Sequence, residues 1–116
     1  MTIEDIQTIC RELPGVTEDI KWEHDLVFSV GNKMFCVVGI DQHPVSASFK
    51  VTDEEFDEMS NRPYFKPAPY VAKYKWVFTE DISKMKKADW KKYIKQSYEL
   101  VKDKLPKKIK TQLGLQ

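Results

Sequence analysis

Two largely apolar runs, Leu26–Val30 and Lys33–Val38, meet at Gly31-Asn32, and this pair restricts the fold more than any other stretch of the chain. Two residues of this type between such runs predict a hairpin with a primed turn, because both central positions need a positive φ. A two-residue turn places Phe28 opposite Phe35 and Leu26 opposite Val37. The other face then carries Val27, Ser29, Met34, Cys36 and Val38, so the hairpin is apolar on much of both sides.

The flanking segments predict helices and further strands. Thr2 caps a helix with Glu4 and Asp5 in its first turn, Ile3, Ile6, Cys10 and Leu13 at helical spacing, and Pro14-Gly15 as its stop. A short strand is expected at Asp19–Trp22. Val45, Ala47, Phe49 and Val51 alternate with Ser46, Ser48 and Lys50, the pattern of a half-buried strand. Thr52-Asp53-Glu54-Glu55 has capping-box spacing and starts a short acidic helix that runs to about Met59. Glu80 to Lys87 is a connector with a helical turn. From Asp89, the apolar stripe Trp90, Tyr93, Ile94, Ser97, Val101 and Leu105 marks a long amphipathic helix ending near Pro106. Beyond it, Lys107-Lys108-Ile109-Lys110 is expected to fray. The order predicts one α+β domain over residues 1–116, an antiparallel sheet with the N- and C-terminal helices packed on one face.

Between the acidic helix and the long one, Arg62 to Tyr70 reads as a proline-rich loop and Tyr74 to Phe78 as a strand. Alternation places Ala72, Tyr74, Trp76 and Phe78 on one side of that strand, and Lys73, Lys75, Val77 and Thr79 on the other. The aromatic side must be covered, which leaves a basic front. Such a strand suits an anion reader; it equally suits an edge strand that its lysines keep from aggregating.

Charge divides the chain. Residues 1–60 hold four basic and thirteen acidic side chains, a net of −9; residues 61–116 hold fifteen basic and five acidic, a net of +10. Halves that stay apart in space make a strong dipole with a basic face suited to nucleic acid. Lysine far outnumbers arginine, which favours phosphate contacts over bidentate base reading.

Other chemistry finds little footing. The two cysteines, Cys10 and Cys36, have no redox or zinc spacing, and Cys10 lies on an apolar stripe. His24 and His43 lie in loop-like contexts, and there is no glycine-rich phosphate loop. No catalytic role and no cofactor is expected. Membrane spans and a signal peptide's basic and apolar regions are absent from the sequence pattern, so the cytoplasm is the expected compartment.

The chain resembles the MmcQ/YjbR family of small bacterial proteins. The matching segments, in order, are Leu13-Pro14-Gly15-Val16-Thr17-Glu18-Asp19, Trp22, Phe28–Phe35, Ser48-Phe49-Lys50, Arg62-Pro63, Pro69-Tyr70 and Lys73–Val77. The end matches through Ser97–Val101 and Lys104–Lys108. The resemblance implies a fold like that of the frataxin-related, CyaY-like superfamily. It also implies DNA binding through a double wing, two β-hairpins whose sheet lies on the duplex.

Three functions follow as expectations. The first is DNA binding of low sequence specificity through Lys33, Arg62, Lys66, Lys73, Lys75, Lys107 and Lys108, the protein being a monomer. The second is metal handling: the related frataxins bind iron through an acidic first helix, and Glu4, Asp5, Glu12, Glu18 and Asp19 occupy a comparable region, with Glu23 and Asp25 beyond them. The third is a protein partner anchored by Tyr64, Phe65 and Tyr70 in the proline-rich loop.

Overall fold

A computed structural model describes residues 1–41 and 43–115. Helix α1 spans Ile3–Arg11 and opens on a capping box: the Thr2 hydroxyl accepts from the Asp5 amide at 3.1 Å, and the Asp5 carboxylate accepts from the Thr2 amide at 3.0 Å. Strands β1 (Val16–Lys21), β2 (Asp25–Val30), β3 (Lys33–Gly39) and β4 (Ser46–Lys50) follow. Helix α2 (Asp53–Ser60) has the second capping box, between Thr52 and Glu55. Then come β5 (Phe65–Pro67), β6 (Trp76–Thr79), α3 (Lys87–Asp103) and α4 (Lys107–Gln112). The strands form one antiparallel sheet in the order β1-β2-β3-β4-β6-β5.

The helices share one side of the sheet. Leu26, Phe28, Val38, Ala47, Phe49 and Val77 form a single core with Ile6 and Cys10 of α1, Met59 of α2, and Trp90, Ile94 and Tyr98 of α3. Trp90 stands edge-on to Phe49 with ring centres 5.5 Å apart, and its indole N–H donates to the Ile82 carbonyl at 2.9 Å. The opposite side carries one cross-strand row: Asp19, Val27, Val37, Ser48, Phe78 and Lys66.

The hairpin turn is as expected, with φ of 57° at Gly31 and 65° at Asn32. Its register is not. Val30 pairs with Lys33 and Ser29 with Met34, but Phe28 then pairs with Cys36 and Leu26 with Val38, because the ladder shifts between Phe28 and Ser29. Phe35 is the extra residue of a β-bulge, and a bulge reverses the alternation beyond it. Phe35 and Cys36 therefore both enter the core, Val38 follows them, and Val37 turns to the far side.

Ser97 closes the gap that the bulge opens. The last β3–β4 pair is Cys36 with Phe49, and one step beyond it the fully buried Ser97 hydroxyl of α3 reaches both strands. It donates to the Phe35 carbonyl at 2.6 Å and accepts from the Lys50 amide at 2.9 Å. Beside it, Tyr98 stands edge-on to Phe35 at 5.5 Å and donates to the Pro14 carbonyl at 2.5 Å. Ser97 of the stripe read from the sequence is thus also a polar tie to the sheet, and Tyr98, which that stripe lacks, ties α3 to the α1–β1 turn.

Four further expectations change. β1 is longer than Asp19–Trp22: it starts at Val16 and ends at Lys21, since Trp22 and Glu23 both have positive φ and turn the chain. Arg62 to Tyr70 is not wholly loop, because Phe65, Lys66 and Pro67 pair with Thr79, Phe78 and Val77 as an edge strand, where proline is tolerated. Tyr74 and Lys75 are not in a strand. Ala72–Tyr74 is a 3-10 turn and Lys75 has φ 66°, which no strand accommodates, so β6 begins at Trp76. The tail after Pro106 is helical, and Ile109 and Leu115 pack against the core.

Two predictions follow. Ser97→Ala leaves the Phe35 carbonyl and the Lys50 amide without their partner, and urea melts are expected to show a loss of about 2 kcal/mol or more. A Cβ at Gly31 would lie 2.8 Å from both Leu105 δ-carbons and 3.1 Å from Ile109 Cγ2, at a φ that already resists side chains. Gly31→Ala is therefore expected to cost about 1 kcal/mol or more, and Gly31→Val more again, by the same melts.

Candidate nucleic-acid interface

The seven cations expected to touch nucleic acid do not form one surface. Arg62 follows α2 and its Nε contacts the Glu58 carboxylate at 2.7 Å. The hydrogen bond with Glu58 raises the Arg62 pKa, so the guanidinium is held in an ion pair. Lys66 on β5 has its ammonium 5.2 Å from the centre of the Phe78 ring. Lys73 lies in the 3-10 turn, 5.1 Å from the Tyr74 ring, and Lys75 is 5.1 Å from the Phe56 ring. These three lysines rest on aromatic faces, which hold their charge near the surface.

The sides of β6 are also the reverse of the expectation. Val77 and Thr79 pair with Phe49 and Ala47 on the helix side, whereas Trp76 and Phe78 pair with Lys50 and Ser48 on the other. Tyr74, expected under cover, is 54% exposed, while Trp76 is buried at 6%.

Lys33 begins β3 directly after the Gly31-Asn32 turn and belongs to a different grouping. It lines one cleft with Lys50 at the end of β4 and Lys104 at the end of α3. Lys75 is close enough to act on the same group: burial first, then Lys104 and Lys75, lower the pKa of the Lys50 ammonium, with Asp53 opposing them. Lys107 and Lys108 continue this end of the molecule, both exposed in the first turn of α4. Sequence reasoning missed Lys50 and Lys104. Lys50 reads there as one outward residue of a strand and Lys104 as a helix-end cation; only the packing of α3 across the sheet end unites them.

Two of the carboxylates expected to handle metal, Glu18 and Asp5, have separate partners. Glu18 accepts from Arg11 at 2.8 and 3.1 Å and from Gln7 at 2.7 Å, and the Arg11 contact above all holds its carboxyl below the usual range. Asp5 serves the α1 capping box. Among the described residues, no three His, Cys, Asp or Glu side chains come together as a metal ion would need.

The aromatic anchors divide too. Tyr70 is 99% exposed and Tyr64 is also exposed, with the Lys84 ammonium 4.7 Å from its ring. Phe65 is buried in the core, because its place on β5 faces the helices. Cys10 and Cys36, remote in sequence, are both fully buried. Contact with Cys36, then burial, pushes the Cys10 thiol pKa far up, which keeps it protonated. Among the described residues, no helix is long and apolar enough to cross a membrane.

An antiparallel sheet with helices on one side defines a small α+β class that solved structures share. A crystal structure of the Deinococcus radiodurans protein DR2400, with a DUF419 domain, superposes with a TM-score of 0.88 at 28% identity. The match covers 99% of this chain and 89% of that one. A Pseudomonas syringae protein shares the fold with a TM-score of 0.71 at 16% identity, over 87% of this chain and 99% of that one. The YjbR family model matches residues 11–100, and the chain belongs to that family. No curated protein matched the sequence.

Exposure separates the two aromatic residues that alternation had paired. Tyr74→Ala is expected to change stability by no more than about 1 kcal/mol. Trp76→Ala is expected to cost roughly 3–5 kcal/mol in urea or thermal melts, because it empties a buried site.

Proposed function

We propose that this protein binds nucleic acid with low sequence specificity, through the basic end of the sheet rather than the face of one strand. The observation that carries this reading is the convergence of Lys33, Lys50 and Lys104 on one cleft, with Lys75 acting on Lys50. Lys107 and Lys108 extend the same end. Lysine ammonium groups are compact charges that neutralise phosphates and release counterions, and such contacts carry no base information.

The strand order supports a directed approach. Strand β1, with Glu18 and Asp19, lies at one edge of the sheet, away from β6 and β5. The acidic helix α2 contacts β5 and β6, so Arg62 and Lys66 lie in a less positive field than Lys33, Lys104, Lys107 and Lys108. Phosphate is expected to favour the second group.

The test measures affinity for fluorescent duplexes of unrelated sequence at several salt concentrations. Lys107→Ala combined with Lys108→Ala is expected to reduce the slope of log K against log salt by about 0.9 per lost contact, roughly 2 in total. Affinity is expected to fall about equally on every sequence, with the melting temperature unchanged. Wild-type protein that shows no salt-sensitive binding at micromolar concentration overturns the reading, and so does an unchanged slope in this double variant together with Lys33→Ala, Lys104→Ala.

A further inference from the structure

We infer that the cleft at the end of the sheet, where β4 finishes, β6 begins and α3 ends, binds a small organic anion: an aromatic or branched aliphatic body carrying one carboxylate head. The cleft has a volume of about 470 Å³, within the roughly 300–1,000 Å³ range of small-molecule sites. Its walls are apolar. Met34 and Trp76 come from the sheet, Val71 and Tyr74 from the turn before β6, Val101 from α3 and Leu105 from the turn after it. Its charged lining is entirely cationic, from Lys33, Lys50 and Lys104.

That composition distinguishes it from the other clefts. One of about 460 Å³ between α1 and β1 includes Glu18 and Asp19. One of about 520 Å³ beside His24 includes Asp25 and Asp41. The two near Tyr64 include Glu80 and Asp89 respectively. Those near Tyr64 set Lys66 beside Glu80, and Arg62, Lys84 and Lys86 beside Asp89, so each of these clefts has a carboxylate in its lining, whereas the Trp76 cleft has none.

The cationic groups have donors to spare. Among the described residues, none of the three lysines forms a salt bridge. The Lys50 ammonium donates to the Tyr74 carbonyl, which uses one of its three N–H groups. Lys50 is half-buried against the wall, whereas Lys33 and Lys104 are exposed at the rim. A carboxylate there would meet several donors in a partly desolvated place, where charge-assisted hydrogen bonds are strong. A phosphate backbone would use the rim alone. The apolar walls gain free energy only from a body that leaves water. The inference therefore stands apart from duplex binding.

The same chemistry, a flat apolar body beside an anion, also occurs in an unstacked nucleotide of a single strand. The experiment separates the two sources. The ¹⁵N-labelled full chain is titrated with naphthoate and, in parallel, with its uncharged analogue naphthylmethanol. Saturable shifts are expected at the Trp76 indole N–H and the Leu105 amide. Naphthylmethanol is expected to bind about tenfold more weakly. The variant Lys33→Gln, Lys104→Gln changes two exposed residues, so its fold is expected to survive. It should weaken naphthoate about tenfold and leave naphthylmethanol unchanged.

Shifts that do not saturate at millimolar naphthoate overturn the inference, as do equal affinities for the two probes or shifts centred away from Trp76. Displacement of naphthoate by a single-stranded oligonucleotide at lower concentration than by free mononucleotide also overturns it, in favour of a base-binding cleft. Failure of the wild-type protein to bind duplex while it binds naphthoate would strike only the nucleic-acid reading.

Discussion

The hydroxyl of Ser97 holds this fold together at the point where its parts would otherwise separate. A bulge at Phe35 breaks the ladder between the central strands, and an unpaired buried carbonyl and amide would each cost about 1–3 kcal/mol. One side chain from α3 satisfies both, at 2.6 and 2.9 Å. The same bulge turns Phe35 into the core, where it meets Tyr98. Tyr98 in turn reaches the Pro14 carbonyl. Two adjacent helix residues thus tie α3 to β3, to β4 and to the turn after α1. With α3 fixed there, the segment that follows it lies over the Gly31-Asn32 turn, and Leu105 and Ile109 fill the space that a side chain at residue 31 would need.

This placement of α3 creates the basic end. Lys33 belongs to the hairpin, Lys50 to the last residue of β4 and Lys104 to the residue after α3. The three meet because the helix ends where two strands end. Their mutual repulsion is tolerated since two of the ammonium groups are in water, where like charges interact weakly. The third, Lys50, is half-buried, and its pKa falls accordingly. The chain's two charge halves are not wholly separated in space: Lys87 of α3 lies 3.9 Å from the Asp5 carboxylate of α1. The acidic α2 lies against the basic β5 and β6 edge and neutralises part of it, as the Arg62–Glu58 pair shows.

Local signals were read correctly where a local cause governed the structure. Thr2 with Asp5 and Thr52 with Glu55 cap their helices through side chains three residues apart. Gly31 and Asn32 turn because their own backbones accept positive φ. The stripe from Trp90 to Val101 is buried as its period requires. Failures came where the cause was distant. The bulge at Phe35 has no signature in the hairpin and depends on Ser97, far along the chain. Lys75 breaks the apparent alternation of residues 72–78 with a left-handed backbone, although lysine has no preference for it. The strand Phe65–Pro67 exists only because β6 offers an edge to pair with.

The sequence by itself determined the family, the α+β class, the two capped helices, the hairpin turn and the segregation of charge. Each of these rests on residues near one another in the chain or on totals that folding does not change. Tertiary structure alone decided the register beyond the bulge, the side of β6 that faces the core, and which lysines share a site. Those depend on where α3 crosses the sheet. That crossing is set by three hydrogen bonds and an aromatic contact, all between residues far apart in sequence, and no local period or motif encodes such partners.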